Sequence, residues 1–258
     1  VSNTLVGGQT GDALTDADYN IAVGDLALSS DTLGTRSVAI GYATLTAQNF
    51  TTATNTFNVD VGHGAGNNVT TGTKNTLIGG EAGDALINAE ENVAIGYAAL
   101  SADTLGSQSV AIGSQALATQ NFTTATNVYN TAVGYEAGKS LTTGTLNTIV
   151  GALAGDAMTT GISNTFVGMQ AASNGDVTGD DNTCVGKSSG FSLSGGSNNL
   201  FLGHDAGITG SPGGNITTGS NAIVLGDENI GDAYIQVALT VSSDERDKTD
   251  FVDLDLGL

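Results

Sequence analysis

Few side chains in this sequence are of a type and spacing that could do chemistry. Near its end, Ser243 and Lys248 in the run SSDERDK could pair a serine nucleophile with a lysine base, provided burial lowered the lysine pKa. On spacing alone that run reads as a solvated, charged linker. Asp12, Asp84 and Asp156 recur in GDAL or GDAM and read as turn-forming, solvated carboxylates. Neither a D-x-D-x-D-G loop nor a G-G-x-G-x-D array accompanies them, so calcium has no motif behind it. His63 and His204 lie 141 residues apart, each directly after a repeated glycine where Tyr42, Tyr97 and Tyr135 also occur. That equivalence points to a surface turn position rather than a metal pair. Cys184 is the single cysteine, which excludes an intrachain disulfide framework and suits a small, buried apolar role. With no catalytic triad, phosphate loop or paired-carboxylate site, the expectation is a protein that is not an enzyme and holds no cofactor or metal.

A stronger signal is the octet QNFTTATN, which stands at residues 48–55 and again at 120–127. Matched insertions in a repetitive fold map to one face, often a binding face. The ligand-binding candidates are therefore Gln48, Asn49, Phe50, Thr51 and Thr52, with Gln120, Asn121, Phe122, Thr123 and Thr124 in the second copy. A tolerated surface loop explains the same pattern.

What would position these loops is a phrase of the form N-T-x-V-G. Its glycine falls at Gly7, Gly24, Gly41, Gly62, Gly79, Gly96, Gly113, Gly134, Gly151, Gly168, Gly186, Gly203 and Gly226, spaced mostly by 17 residues and by 21 where an octet intervenes. Residues 3–74 and 75–146 align with a constant offset of 72, so a four-coil unit is duplicated. Such a period marks a solenoid, whose units bury their apolar faces only by stacking. Val, Ile, Leu or Thr at the third and first positions before the glycine gives a strand alternation, and these two positions are expected to face inward. Asn or Ser four positions before it suggests a hydrogen-bonded ladder along the stack. Ala, Thr or Ser three positions after it suggests a second short strand packed closely behind a tight turn.

The residue between the two inward positions should then face water, yet twelve of thirteen copies are apolar there, which implies that other copies of the chain cover it. Asp60 is the exception: either the wider coil turns it to solvent, or three carboxylates meet on a shared axis and either bind a cation or take up a proton. Thirteen coils at ~4.8 Å would form a rod of roughly 60 Å. After Gly231 the period stops; residues 232–241 look strand-like and the remainder turns charged.

The formal net charge is −20 with only six Lys and Arg, which argues against nucleic acid and anionic membrane surfaces as partners. No segment approaches the ~18 apolar residues that span a bilayer, so membrane insertion is not expected. Val1 opens inside a repeat with no signal peptide ahead of it, so the chain is expected to be part of a longer protein.

These motifs carry a resemblance. The coils, with their N-T-x-x-G, A-G and T-T-G elements, resemble the head repeats of YadA-like trimeric adhesins and the repeats of phage tail fibres. The run SDERDK followed by DLDLGL resembles the opening of the endosialidase-type intramolecular chaperone domain at the C-terminus of phage fibres and spikes. In that family the domain trimerises the fibre and cuts itself off at the serine matched here by Ser243, with Lys248 at the position of its proposed partner; most of that domain lies beyond Leu258, so self-cleavage is not expected in this chain. The resemblance implies an all-β, left-handed parallel β-roll of about 13 coils at residues 1–231, then a neck and chaperone start at 232–258, assembled as a homotrimer. It implies a tail fibre in the virion that attaches to a host glycan or protein receptor and joins other tail fibre or baseplate proteins. A bacterial cell-surface adhesin head is the alternative. An ice-binding solenoid is a lesser one, disfavoured because Thr shares an inward position with Val and the TT pairs fall in turns.

Overall fold

The computed structural model describes residues 2–232. The chain divides into two compact units, Val1–Glu228 and Asn229–Leu258, the second described only over 229–232. The first is a parallel β-solenoid with one three-residue strand in each coil, from Thr4–Val6 to Ile223–Leu225. These form one 13-stranded sheet in chain order, each strand in register with the next, as in Ala94 opposite Ala111 and Ile149 opposite Phe166. None of the described residues forms a helix long and apolar enough to cross a membrane.

The expected second strand is a turn. After each repeat glycine up to Gly203 the backbone enters the left-handed region, at residues such as Glu81 (φ 58°) and Leu100 (φ 54°), a conformation incompatible with a strand. The small residue three positions on is nonetheless required, because Ala82, Ala99, Ala116 and Ala137 are fully buried. The turns also stack by hydrogen bonds, such as the Gly83 amide on the Ala99 carbonyl at 2.9 Å. Among the described residues only Gly34–Thr35 with Thr54–Asn55, and Gly106–Ser107 with Thr126–Asn127, add a second ladder, and each includes the end of an octet.

The two strand faces are the reverse of the expectation. The middle residue points into the coil's own core, with Ala22, Ala39, Leu77, Ala94, Ala111, Ile149, Phe166, Cys184 and Phe201 all at 0 % exposure. The flanking pair faces outward, and in no coil is either member buried. In many coils the middle residue and a second core position trade size, as close packing favours. In four of the five coils whose middle residue is Ala (Ala22, Ala39, Ala94, Ala111), a buried Leu follows six positions later (Leu28, Leu45, Leu100, Leu117); after Ala132 the position is Gly138, and the side chains of Leu117 and Ile149 from the adjacent coils fill the space. Where it is Leu77 or Phe201, a glycine stands there, and a Cβ on Gly83 would lie 2.8 Å from Leu77 Cδ2.

The repeat glycine is fixed by stacking as well as by φ. At Gly24 φ is +136°, and a Cβ would lie 2.2 Å from the Gly41 carbonyl oxygen in the next coil. The Asn column forms a ladder, though between side chain and main chain rather than between side chains alone. The Asn75 amide donates to Asn58 Oδ1 at 2.9 Å, and the Asn92 amide to Asn75 Oδ1 at 3.0 Å. Each carboxamide then donates onward, Asn75 Nδ2 to the Ala89 carbonyl at 2.9 Å.

Asp60 is neither turned to solvent nor aimed at a shared axis. The four extra residues of its coil lie ahead of Asn58 and leave the strand unrotated, so Asp60 occupies the inward middle position at 0 % exposure with no partner for either oxygen. Burial raises its pKa well above the ordinary value. The unfolded chain ionises this group near ~3.9, so the folded state holds the proton longer. Below that pH both states are protonated and no stability is lost. As pH rises from there toward the folded pKa, stability should fall by about 1.4 kcal/mol per unit. Asp60→Ala, which reproduces Ala132 of the second copy, is expected to remove that slope in pH-dependent denaturation and to raise the unfolding midpoint at neutral pH.

Candidate functional site

Both octets are built by one buried polar network. In the coils where Ser37 and Ser109 replace Asn, the ladder lacks a carboxamide, and the octet's glutamine supplies it. Gln48 Nε2 donates to Asp31 Oδ2 at 2.6 Å and to Ser37 Oγ at 3.1 Å, while Gln48 Oε1 accepts from Asn58 Nδ2 at 2.9 Å. Asp31 Oδ1 also accepts the amides of Gly34 and Phe50, each at 3.1 Å. The second copy repeats the arrangement through Gln120, Asp103, Ser109 and Asn130, with Gln120 Nε2 at 2.6 Å from Asp103 Oδ2. A carboxylate buried with three donors needs no counter-ion, which is why Asp31 and Asp103 are tolerated at 0 % exposure.

This sorts the ten candidate ligand-binding residues. Gln48, Phe50, Gln120 and Phe122 are buried and hold the loop, so they cannot meet a ligand directly. Asn49, Thr51 and Thr52, with Asn121, Thr123 and Thr124, are exposed and form the presented surface. The pairing of a serine in the ladder with a glutamine eleven residues later is present in both copies and could have revealed the structural role.

The two octets have different neighbours. Beside the first, the Arg36 guanidinium lies between the rings of Tyr19 and Phe57, 5.6 and 5.8 Å from their centroids, and hydrogen-bonds Asn55. Beside the second, Glu91 replaces Tyr19 and Gln108 replaces Arg36. There Lys74, Glu91 and Gln108 bond in sequence at 2.7 and 3.0 Å, and an open polar recess of about 410 Å³ is lined by Asn88, Glu91, Gln108 and Asn127, among others.

His63 stacks on Tyr42 at 5.2 Å on the surface, and His204 lies beside Asp205 and Asp227. Asp84 and Asp156 are half-buried rather than solvated, and that burial raises both pKa values, with Glu81 adding to the rise at Asp84. Burial pushes the Cys184 thiol up to about 12, which leaves it unreactive. Ser243 and Lys248 lie outside the described residues, as do the chaperone-like segment and all but Asp232 of the strand expected over 232–241.

Replacing Gln48 or Gln120 by Ala should cost roughly 1–3 kcal/mol each, because a buried carboxylate loses a donor. Thr51→Ala and Thr52→Ala should stay within about 0.5 kcal/mol. Chemical denaturation of the four variants checks the contrast. The chain matches no protein-family model, no curated protein and no solved structure.

Proposed function

We propose that this chain is a structural segment of a homotrimeric phage tail fibre involved in host attachment. One observation carries this reading: the outward face of the sheet. Of its 26 flanking strand positions, 20 are Val, Ile or Leu: the column just before the glycine is apolar in all thirteen coils and runs about 55–60 Å at the strand spacing, while the column two residues earlier is interrupted by six Thr. Monomeric proteins rarely expose an apolar surface that long, and further copies of the same chain would cover it along its whole length. The expectation that copies pack on the strand is kept, but the residues that would meet them are Val93, Ile95, Val110 and Ile112 rather than Ala94 and Ala111. Attachment would use the exposed octet tips, where several copies raise avidity for a glycan or protein receptor.

A second reading draws on the same face. Thr131, Thr148, Thr165 and Thr183 stack outward on four successive strands beside Val133, Val150, Val167 and Val185. Thr faces outward here, which favours an ice-binding array, while the TT pairs still fall outside the strands and the Thr column covers only part of the sheet.

The native chain is expected to sediment at three times its 25.6 kDa, and the double variant Ile95→Lys, Ile112→Lys at that mass alone. A monomeric native chain that shows thermal hysteresis in ice growth would favour the second reading over the first.

A further inference from the structure

We infer that His204, Asp205 and Asp227 form a binding site for a divalent metal ion of the zinc type, joining the last two coils of the solenoid. His204 and Asp227 occupy the same place in successive coils, each directly after the repeat glycine, so stacking sets one over the other. Asp205 follows His204 on the same turn. His204 Nδ1 lies 3.4 Å from Asp205 Oδ2 and 3.3 Å from Asp227 Oδ2, and one ligand atom from each residue falls within 4.8 Å of the others. A tetrahedral ion bound at ~2.0–2.2 Å has ligand-to-ligand edges of roughly 3.3–3.6 Å, so two of the three edges already have the required length. The third is brought in by rotating Asp205, whose side chain is 31 % exposed. A fourth position stays open to water.

The donor set selects among ions. One imidazole nitrogen with two carboxylate oxygens suits zinc and its first-row neighbours, whereas calcium and magnesium favour oxygen alone and more ligands. The net charge of −20 would draw cations to the surface generally, but among the described residues this is the place where a histidine nitrogen and two carboxylates lie within reach of one ion. His63 occupies the same column and provides a control: Gly64 follows it and Gly80 stands in the next coil, so no carboxylate takes the places of Asp205 and Asp227.

The location gives the ion a structural task. The coil from Gly203 to Gly226 is the longest at 23 residues, and its ladder position is Ala222 in place of Asn. That coil therefore has both the largest loop to close and no carboxamide of its own to pass onward. His204 and Asp227 lie at its two ends, so an ion held between them closes it in the folded state only.

The test uses the full chain after chelator treatment, titrated calorimetrically with Zn²⁺, with Ca²⁺, and with Co²⁺ followed by its visible absorption. One Zn²⁺ per chain is expected, with a raised unfolding midpoint and a tetrahedral Co²⁺ band. His204→Ala and Asp227→Ala should weaken binding by more than the 10–100-fold typical of an outer-shell loss. His63→Ala should leave it unchanged. Absence of uptake, uptake unaltered in His204→Ala, or calcium binding as tight as zinc would each overturn the assignment, the last two by showing diffuse attraction to surface carboxylates.

Discussion

Ahead of every strand the chain presents a backbone amide, and in most coils the Asn side chain of the preceding coil accepts it. The same carboxamide then donates to a carbonyl fourteen residues or so onward, as Asn92 does to Gly106 and Asn147 to Gly161. One side chain therefore ties its own coil to the next at two points and satisfies groups that burial would otherwise leave unpaired. Because a strand of three residues has few hydrogen bonds of its own, this column holds the register for the whole stack. The repeat glycines allow it, since a side chain at Gly24 or Gly41 would push successive coils apart.

From that ladder follows the place of the octets. A serine at Ser37 or Ser109 breaks the carboxamide column, and the chain restores it from within the insertion by burying a glutamine against an aspartate. Each insertion is thus anchored at its root by Gln48 or Gln120 and by a buried phenylalanine. Its threonines are left free to vary at the surface, and a rigid root with an exposed tip is the arrangement that recognition loops require.

Much of the fold is legible in the residues themselves. The 17-residue period, the parallel stack, the asparagine column and the need for small residues after the turn all follow from spacing and residue type. The orientation of the strand does not. With Val or Ile on both flanks and Ala, Leu or Phe between, a three-residue strand is apolar on either side, and alternation cannot say which side meets the core. The volume exchange between Ala94 and Leu100, or between Leu77 and Gly83, is the signal that points to the core side, because residues sharing one core trade size, although Ala132 with Gly138 does not follow it. The turn after the glycine was also hidden, since Leu and Glu in left-handed backbone have no local signature. Asp60 follows from the same ambiguity: with the middle position read as outward its carboxylate is expected at solvent or on a shared axis, whereas that position faces the core.

Amide hydrogen exchange on the native protein tests the ladder most directly. The backbone amides of Asn75, Asn92, Asn147, Asn164 and Asn182, all donated to an Asn side chain, should exchange as slowly as the strand amides beside them and recur as protected sites along the chain. The amides of Thr51, Thr52 and Ala53 at the octet tip should exchange fastest. If the asparagine amides exchanged as quickly as those at the tip, the side-chain column would not be holding the coils in register.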